Sequence, residues 1–137
     1  TEQTLLGVRN NATYNGKTNR AQTNLQLLTY SAGTPAGADI TVRLRLNPNL
    51  TGASFTNINS TYSCSSVSTA ATLASDGGFY SAGVEWVSFV VAGGTSGVLD
   101  LHPYNMHLAP GDILEITGQA SSGTPTLRAS ISWVEDF

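Results

Sequence analysis

The chain has 137 residues, only 11% of them charged, and a formal net charge of −3. That length suits a single domain over residues 1–137, with a core that needs no disulfide or metal staple. Six scattered basic residues, with Arg43 and Arg45 the only close pair, exclude a nucleic-acid footprint; the single cysteine, Cys64, excludes an intrachain disulfide scaffold; and no apolar run nears the roughly 20 residues of a membrane-inserted helix.

No stretch keeps apolar positions at helical spacing. Gly, Pro, Asn and Ser interrupt the chain every eight to twelve residues or so, the spacing of a sandwich or barrel. In chain order, strands are expected over Leu5–Asn10 and Leu25–Tyr30. "ITVRLRL" is the next, with Ile40, Val42, Leu44 and Leu46 on one face, Thr41, Arg43 and Arg45 on the other, and Pro48 ending it. A short piece near Phe55 precedes a strand over Tyr62–Val67. "VEWVSFVV" comes next and is unusual. Simple alternation puts Val84, Trp86 and Val90 on one face and Val87, Phe89 and Val91 on the other, so both faces are apolar. Two readings stand side by side. In one, a loop or a closed barrel covers the outer face; in the other, Trp86 packs against another subunit.

Val98–Leu101 and a short piece near Met106 come next. Pro110 and Gly111 then set a turn whose backbone Asp112 is placed to hydrogen-bond, giving all three a structural role. The turn feeds "ILEIT", with Leu114 and Ile116 inward. "SSGTP", residues 121–125, reads as a hairpin loop into "LRASISWV", with Leu127, Ala129, Ile131 and Trp133 inward. The total is about eight to ten strands, an all-β antiparallel sandwich of jelly-roll-like organisation. The expected core is Ile40, Val42, Leu44, Leu114, Ile116, Leu127, Ile131 and Trp133.

Chemistry is sparse. His102 shares a strand face with Asp100, the start of a two-ligand set, but Pro103 turns the chain and only His107 comes after it, so loop histidines are expected. No acid pair has telling spacing, Asp39 and Asp76 fall in expected turns, and no nucleophile-elbow, zinc-protease or phosphate-loop motif occurs. Cys64 reads as a small packed residue. Neither a metal, a cofactor nor an enzymatic activity is expected. Asn11, Asn49 and Asn59 match the glycosylation sequon, which an Asn- and Thr-rich chain produces by chance. "NPNLTGASFTNIN" is a polar connection, anchored by Leu50 and Phe55, whose amides and hydroxyls suit a loop or a sugar.

"VRNNATYNGKTNR", "LRLNPNLTGASFTNIN", "STAAT" with a later "GG", and "HLAPGDILEITG" with "ASISWVEDF" together resemble a module of tailed-bacteriophage virion proteins and related prophage proteins. The element formed by Leu108, Gly111, Asp112, Leu114 and Ile116 is also similar to the penultimate strand of trimeric jelly rolls of the tumour-necrosis-factor and complement-C1q type. The resemblance implies a non-enzymatic module on the virion surface, a homotrimer in contact with other virion proteins of the capsid or an appendage. It serves either as capsid decoration or cement, or as the receptor-binding tip of a fibre or spike recognising a host surface glycan. A chain that begins at Thr1 after loss of Met would suit decoration; a piece of a longer fibre would suit the tip. Val84, Trp86, Phe89, Tyr80 and Phe137 are the expected oligomer interface.

Overall fold

A computed structural model describes residues 2–33, 38–69, 72–73 and 83–137. The strands in order are β1 (Gln3–Asn10), β2 (Thr13–Tyr14), β3 (Lys17–Thr18), β4 (Gln22–Ala32), β5 (Ile40–Leu46), β6 (Leu50–Thr51) and β7 (Thr56–Asn57). Then come β8 (Ser65–Ser68), β9 (Thr72–Leu73), β10 (Val84–Val91), β11 (Ser96–Asp100), β12 (His107–Leu108), β13 (Ile113–Ala120) and β14 (Leu127–Asp136). Among the described residues the only helical piece is a 3₁₀ turn over His102–Tyr104.

Every pairing among the described residues is antiparallel. One sheet runs β10-β5-β13-β1-β8-β7; the other places β4 between β11 and β12 on one side and β14 on the other. The order has a simple logic. β1 pairs β13, β4 pairs β11 and β5 pairs β10, so the chain doubles back on itself in nested pairs that alternate between the sheets. This folded-over ribbon is the jelly-roll arrangement.

The inner faces meet as the alternation dictates. Val8, Leu25, Leu28, Ile40, Val42, Leu44, Leu101, Leu108, Leu114 and Ile116 are buried in one cluster. Cutting a fully buried member such as Leu44 or Ile116 to alanine costs about 2–5 kcal/mol. Leu127, Ile131 and Trp133 lie on the expected face but are only partly covered, because β14 is the outer strand of its sheet.

Three expectations change. Residues 121–125 do not close a hairpin. Both edges of β13 are taken by β1 and β5, so the chain must cross to the other sheet, where β14 joins β4. The strand expected over Tyr62–Val67 starts only at Ser65, because Asn59 Oδ1 captures the N–H groups of Thr61 and Tyr62 at 2.9 and 3.0 Å and holds a turn there. Third, β10 does not alternate from end to end. Its register with β5 shifts between Glu85 and Val87, a bulge that inserts Trp86 and reverses the phase of the strand beyond it. Trp86, Val87 and Phe89 consequently all pack against the core of their own chain.

Candidate functional site

The outer face of the six-stranded sheet carries the polar architecture. In register across it stand Gly7 of β1, Glu115 of β13 and Arg45 of β5, with Thr117 and Arg43 one step along. Alternation directs these side chains away from the core, yet water does not reach them all. Glu115 is 1% exposed, its Oε2 has no hydrogen-bond partner, and burial pushes its carboxyl up to about 8. Phe55 lies close by: a Cβ placed on Gly7 would run into Glu115 Oε2 and meet the Phe55 ring at 3.4 Å. Gly7 is the gap that lets the glutamate lie across β1.

Arg45 stands beside Glu115 but is bound to Glu2, with Nε to Oε2 at 2.6 Å and Nη2 to Oε1 at 2.9 Å. Arg43 joins the same carboxylate at 2.8 Å and reaches Glu85 at 3.0 Å. The Arg45 guanidinium holds the Glu2 carboxyl below its usual range, against the opposing effect of burial. This cluster neutralises itself and is structural.

Farther along β1 the same face opens into a cleft of about 680 Å³, lined among others by Arg9, Asn11, Tyr14, Asn57, Ser60 and Ser63. Its floor is fixed by amides. Arg9 Nε donates to Asn11 Oδ1 at 3.0 Å, Asn11 Nδ2 donates to Asn57 Oδ1 at 3.1 Å, and the Ser66 hydroxyl lies 2.9 and 2.7 Å from those two oxygens. The Arg9 guanidinium lies 4.6 Å over the Phe55 ring. One wall is the β2–β3 hairpin, turning through Asn15 (φ 51°) and Gly16 (φ 72°). The other is the turn that Asn59 holds. The Tyr14 hydroxyl donates to Thr61 O and ties wall to wall. Beneath, buried Asn10 donates to Ala21 O and Leu108 O, both at 2.9 Å, and accepts from Asn19 Nδ2 at 2.7 Å.

Sequence reasoning missed the hairpin, although Asn15-Gly16 is the strongest short-range signal for one. It also missed the cleft, whose walls lie more than forty residues apart in the chain, as the Tyr14–Thr61 bond shows.

The expected sites fall in different places. Asp112 acts in its turn: Oδ2 accepts from Ala109 N at 3.0 Å and Oδ1 from Asn47 Nδ2 at 3.0 Å, while Gly111, at φ 92°, donates its N–H to Asn10 O at 2.6 Å. Pro110 opens that turn, exposed. Of the expected interface, Val84 is 59% exposed, whereas Trp86 and Phe89 pack inward and Phe89 stacks on Tyr30 at 5.0 Å. Phe137 is 68% exposed and stacks on Tyr14 at 5.3 Å. Tyr80, like Asp76, lies outside the described residues.

Asp100 and His102 do meet, at 2.7 Å on the surface, and the imidazole holds the Asp100 carboxyl below its usual range. Among the described residues no three His, Cys, Asp or Glu side chains gather as a metal site. Cys64 is buried; desolvation first, and then Glu135, push its thiol up, away from the reactive thiolate. No family model matches the chain, and neither a curated protein nor a solved structure matches it.

Proposed function

We propose that this chain is a non-enzymatic surface module of a tailed-bacteriophage virion, assembling as a homotrimer and serving as capsid decoration or cement through protein–protein contacts. The observation that carries this reading is the end of the six-stranded sheet. β10 is its last strand among the described residues, and its Val84 and Val90 are 59% and 65% exposed. An apolar strand at a sheet end offers both backbone hydrogen bonds and dry surface to a neighbour, and freestanding proteins usually blunt such edges. The resemblance of several short sequence patterns to virion proteins supports the same reading. So does the burial of Glu115, 1% exposed and with its carboxyl raised to about 8, away from any substrate.

Apolar burial contributes on the order of 25 cal/mol per Å², against association costs of several kcal/mol, so two valines do not hold a trimer alone. Val90→Glu probes the seam better than a change at Trp86, which would disturb the core. The wild type should sediment as a trimer at micromolar concentration, and Val90→Glu as a folded monomer. Particles stripped of the protein should lose thermal stability. A monomeric wild type with no three-fold contact in the particle ends this reading.

A second reading, a receptor-binding tip of a fibre or spike that recognises a host surface glycan, is favoured by the amide- and hydroxyl-lined cleft at Asn11, Asn57 and Ser60.

A further inference from the structure

Three arginines are half-buried among the described residues: Arg9, Arg43 and Arg45. Arg43 and Arg45 each sit within 3.0 Å of a glutamate. Among the described residues Arg9 has no carboxylate within salt-bridge distance. Removing a cation from water without a counter-charge is unfavourable, and structures compensate by pairing it. Here the compensation is partial: one ring face and one amide oxygen, both of which also fix the orientation of the guanidinium.

The surroundings keep the position open to an anion. Among the described residues no acidic side chain lines the cleft. Residues 3–38, which supply Arg9 and Asn11 of its floor and one wall, contain Arg9, Lys17 and Arg20 and not one Asp or Glu, in a chain whose net charge is −3. Two acids adjoining the cleft lining are otherwise engaged. Asp112, next to Gly111 on the rim, accepts from Ala109 N of its own turn through Oδ2 and from Asn47 Nδ2 through Oδ1. Glu135 lies behind Ser63 and accepts the hydroxyls of Ser63, at 2.6 Å, and Ser65.

The rest of the lining is Asn, Ser, Thr, Ala and Gly with the ring of Tyr14, and the cleft volume falls in the span of small-ligand sites, roughly 300–1,000 Å³. Amides and hydroxyls on a fixed floor suit a ligand covered in hydroxyls. A guanidinium with a preset fork direction suits a carboxylate, which it can hold bidentately.

We propose that the cleft between the β2–β3 hairpin and residues 57–63 binds a carboxylate-bearing saccharide, a sialic- or uronic-acid unit, with Arg9 holding the carboxylate and Asn57 and Ser60 the ring hydroxyls. This rests on the receptor-tip reading and adds to it the charge class of the sugar. The amide-rich lining favours a sugar over an acidic peptide.

The probes are sialyllactose and trigalacturonate, each titrated calorimetrically against its neutral counterpart, lactose or galactotriose, with hexaglutamate as a charge control. At least one acidic sugar should bind about tenfold or more tightly than its neutral counterpart, with affinity falling as salt rises. Arg9→Gln should remove that preference, and Arg9→Lys should restore part of it. Ser60→Trp, which fills the cleft from an exposed loop, should abolish binding while the melt is unchanged. Equal binding of acidic and neutral sugars, insensitive to Arg9→Gln, overturns the carboxylate assignment and leaves the tip reading standing. Binding of neither class overturns both. Binding of hexaglutamate as tightly as the sugars overturns the saccharide assignment.

Discussion

Two regions of one sheet face handle buried charge in opposite ways. At the β5 end, Arg43 and Arg45 close on Glu2 and Glu85, and each charge finds its partner inside the chain. At the β1 end, Arg9 is held as firmly in place, by Phe55 and Asn11, but no carboxylate among the described residues answers its charge. Between them lies Glu115, acidic, dry and unbonded at Oε2. The difference separates scaffold from site. A cluster that satisfies itself has nothing to offer a ligand, while a fixed cation in an acid-free cleft has its strongest interaction still to make.

The comparison breaks first at Asn10, if the cleft floor is not the rigid platform described. Asn10→Ala leaves the carbonyls of Ala21 and Leu108 and one amide hydrogen of Asn19 without their present partners. At about 1–3 kcal/mol for a buried group left unpaired, with some relaxation, the loss should be roughly 3–5 kcal/mol by urea unfolding. A loss below about 1 kcal/mol would show that water replaces the side chain and that the floor is soft.

Next in size is Glu115. Its folded-state pKa of about 8 stands above the ordinary 4.5, so the folded chain keeps a proton that the unfolded chain releases. Stability is therefore full below about pH 4.5 and falls as pH rises towards 8; at pH 7 the loss approaches roughly 3 kcal/mol. Glu115→Gln should flatten this slope, raising stability at pH 7 with little change at pH 4. Parallel pH profiles for the two proteins would mean that Arg45, not burial, governs the carboxyl.

How much of this was legible beforehand depends on what alternation encodes. It reports which way a side chain points relative to its own sheet. That placed Ile40, Val42, Leu44, Leu114 and Ile116 in the core, and the turn chemistry of Pro110, Gly111 and Asp112 was likewise local. It cannot report which sheet the next strand joins, so residues 121–125 looked like a hairpin when β13 had no free edge. Nor does it register a bulge: one residue inserted at Trp86 brought Trp86, Val87 and Phe89 to the core side and left Val84 and Val90 exposed. Glu115 pointed outward as its position demanded, and alternation does not register that chain packed over the outer face buries it. The cleft depends on residues 9–16 and 57–63 meeting, and no periodicity within either segment encodes that meeting.

The smallest expected effects test the comparison most directly, as a pair. Glu2→Gln removes the charge that Arg43 and Arg45 share. These groups keep 14–23% of their side-chain exposure, so solvent screening reduces the loss to about 1–2 kcal/mol at neutral pH. The Glu2 carboxyl is held below 4.5 in the folded chain, so its contribution is present above that value and disappears as pH falls through the lowered pKa. Wild type and Glu2→Gln should accordingly converge in acid. Arg9→Gln breaks no ion pair; it gives up the contact with the Phe55 ring, about 0.5–1 kcal/mol at a partly exposed position, and the hydrogen bond to Asn11 Oδ1, neither of which involves a carboxylate. Thermal melts of the two variants at pH 7 and in acid decide the matter. If Arg9→Gln costs as much as Glu2→Gln and loses its effect in acid as Glu2→Gln does, then Arg9 answers a carboxylate of its own chain, and the two regions are one kind of structure rather than two.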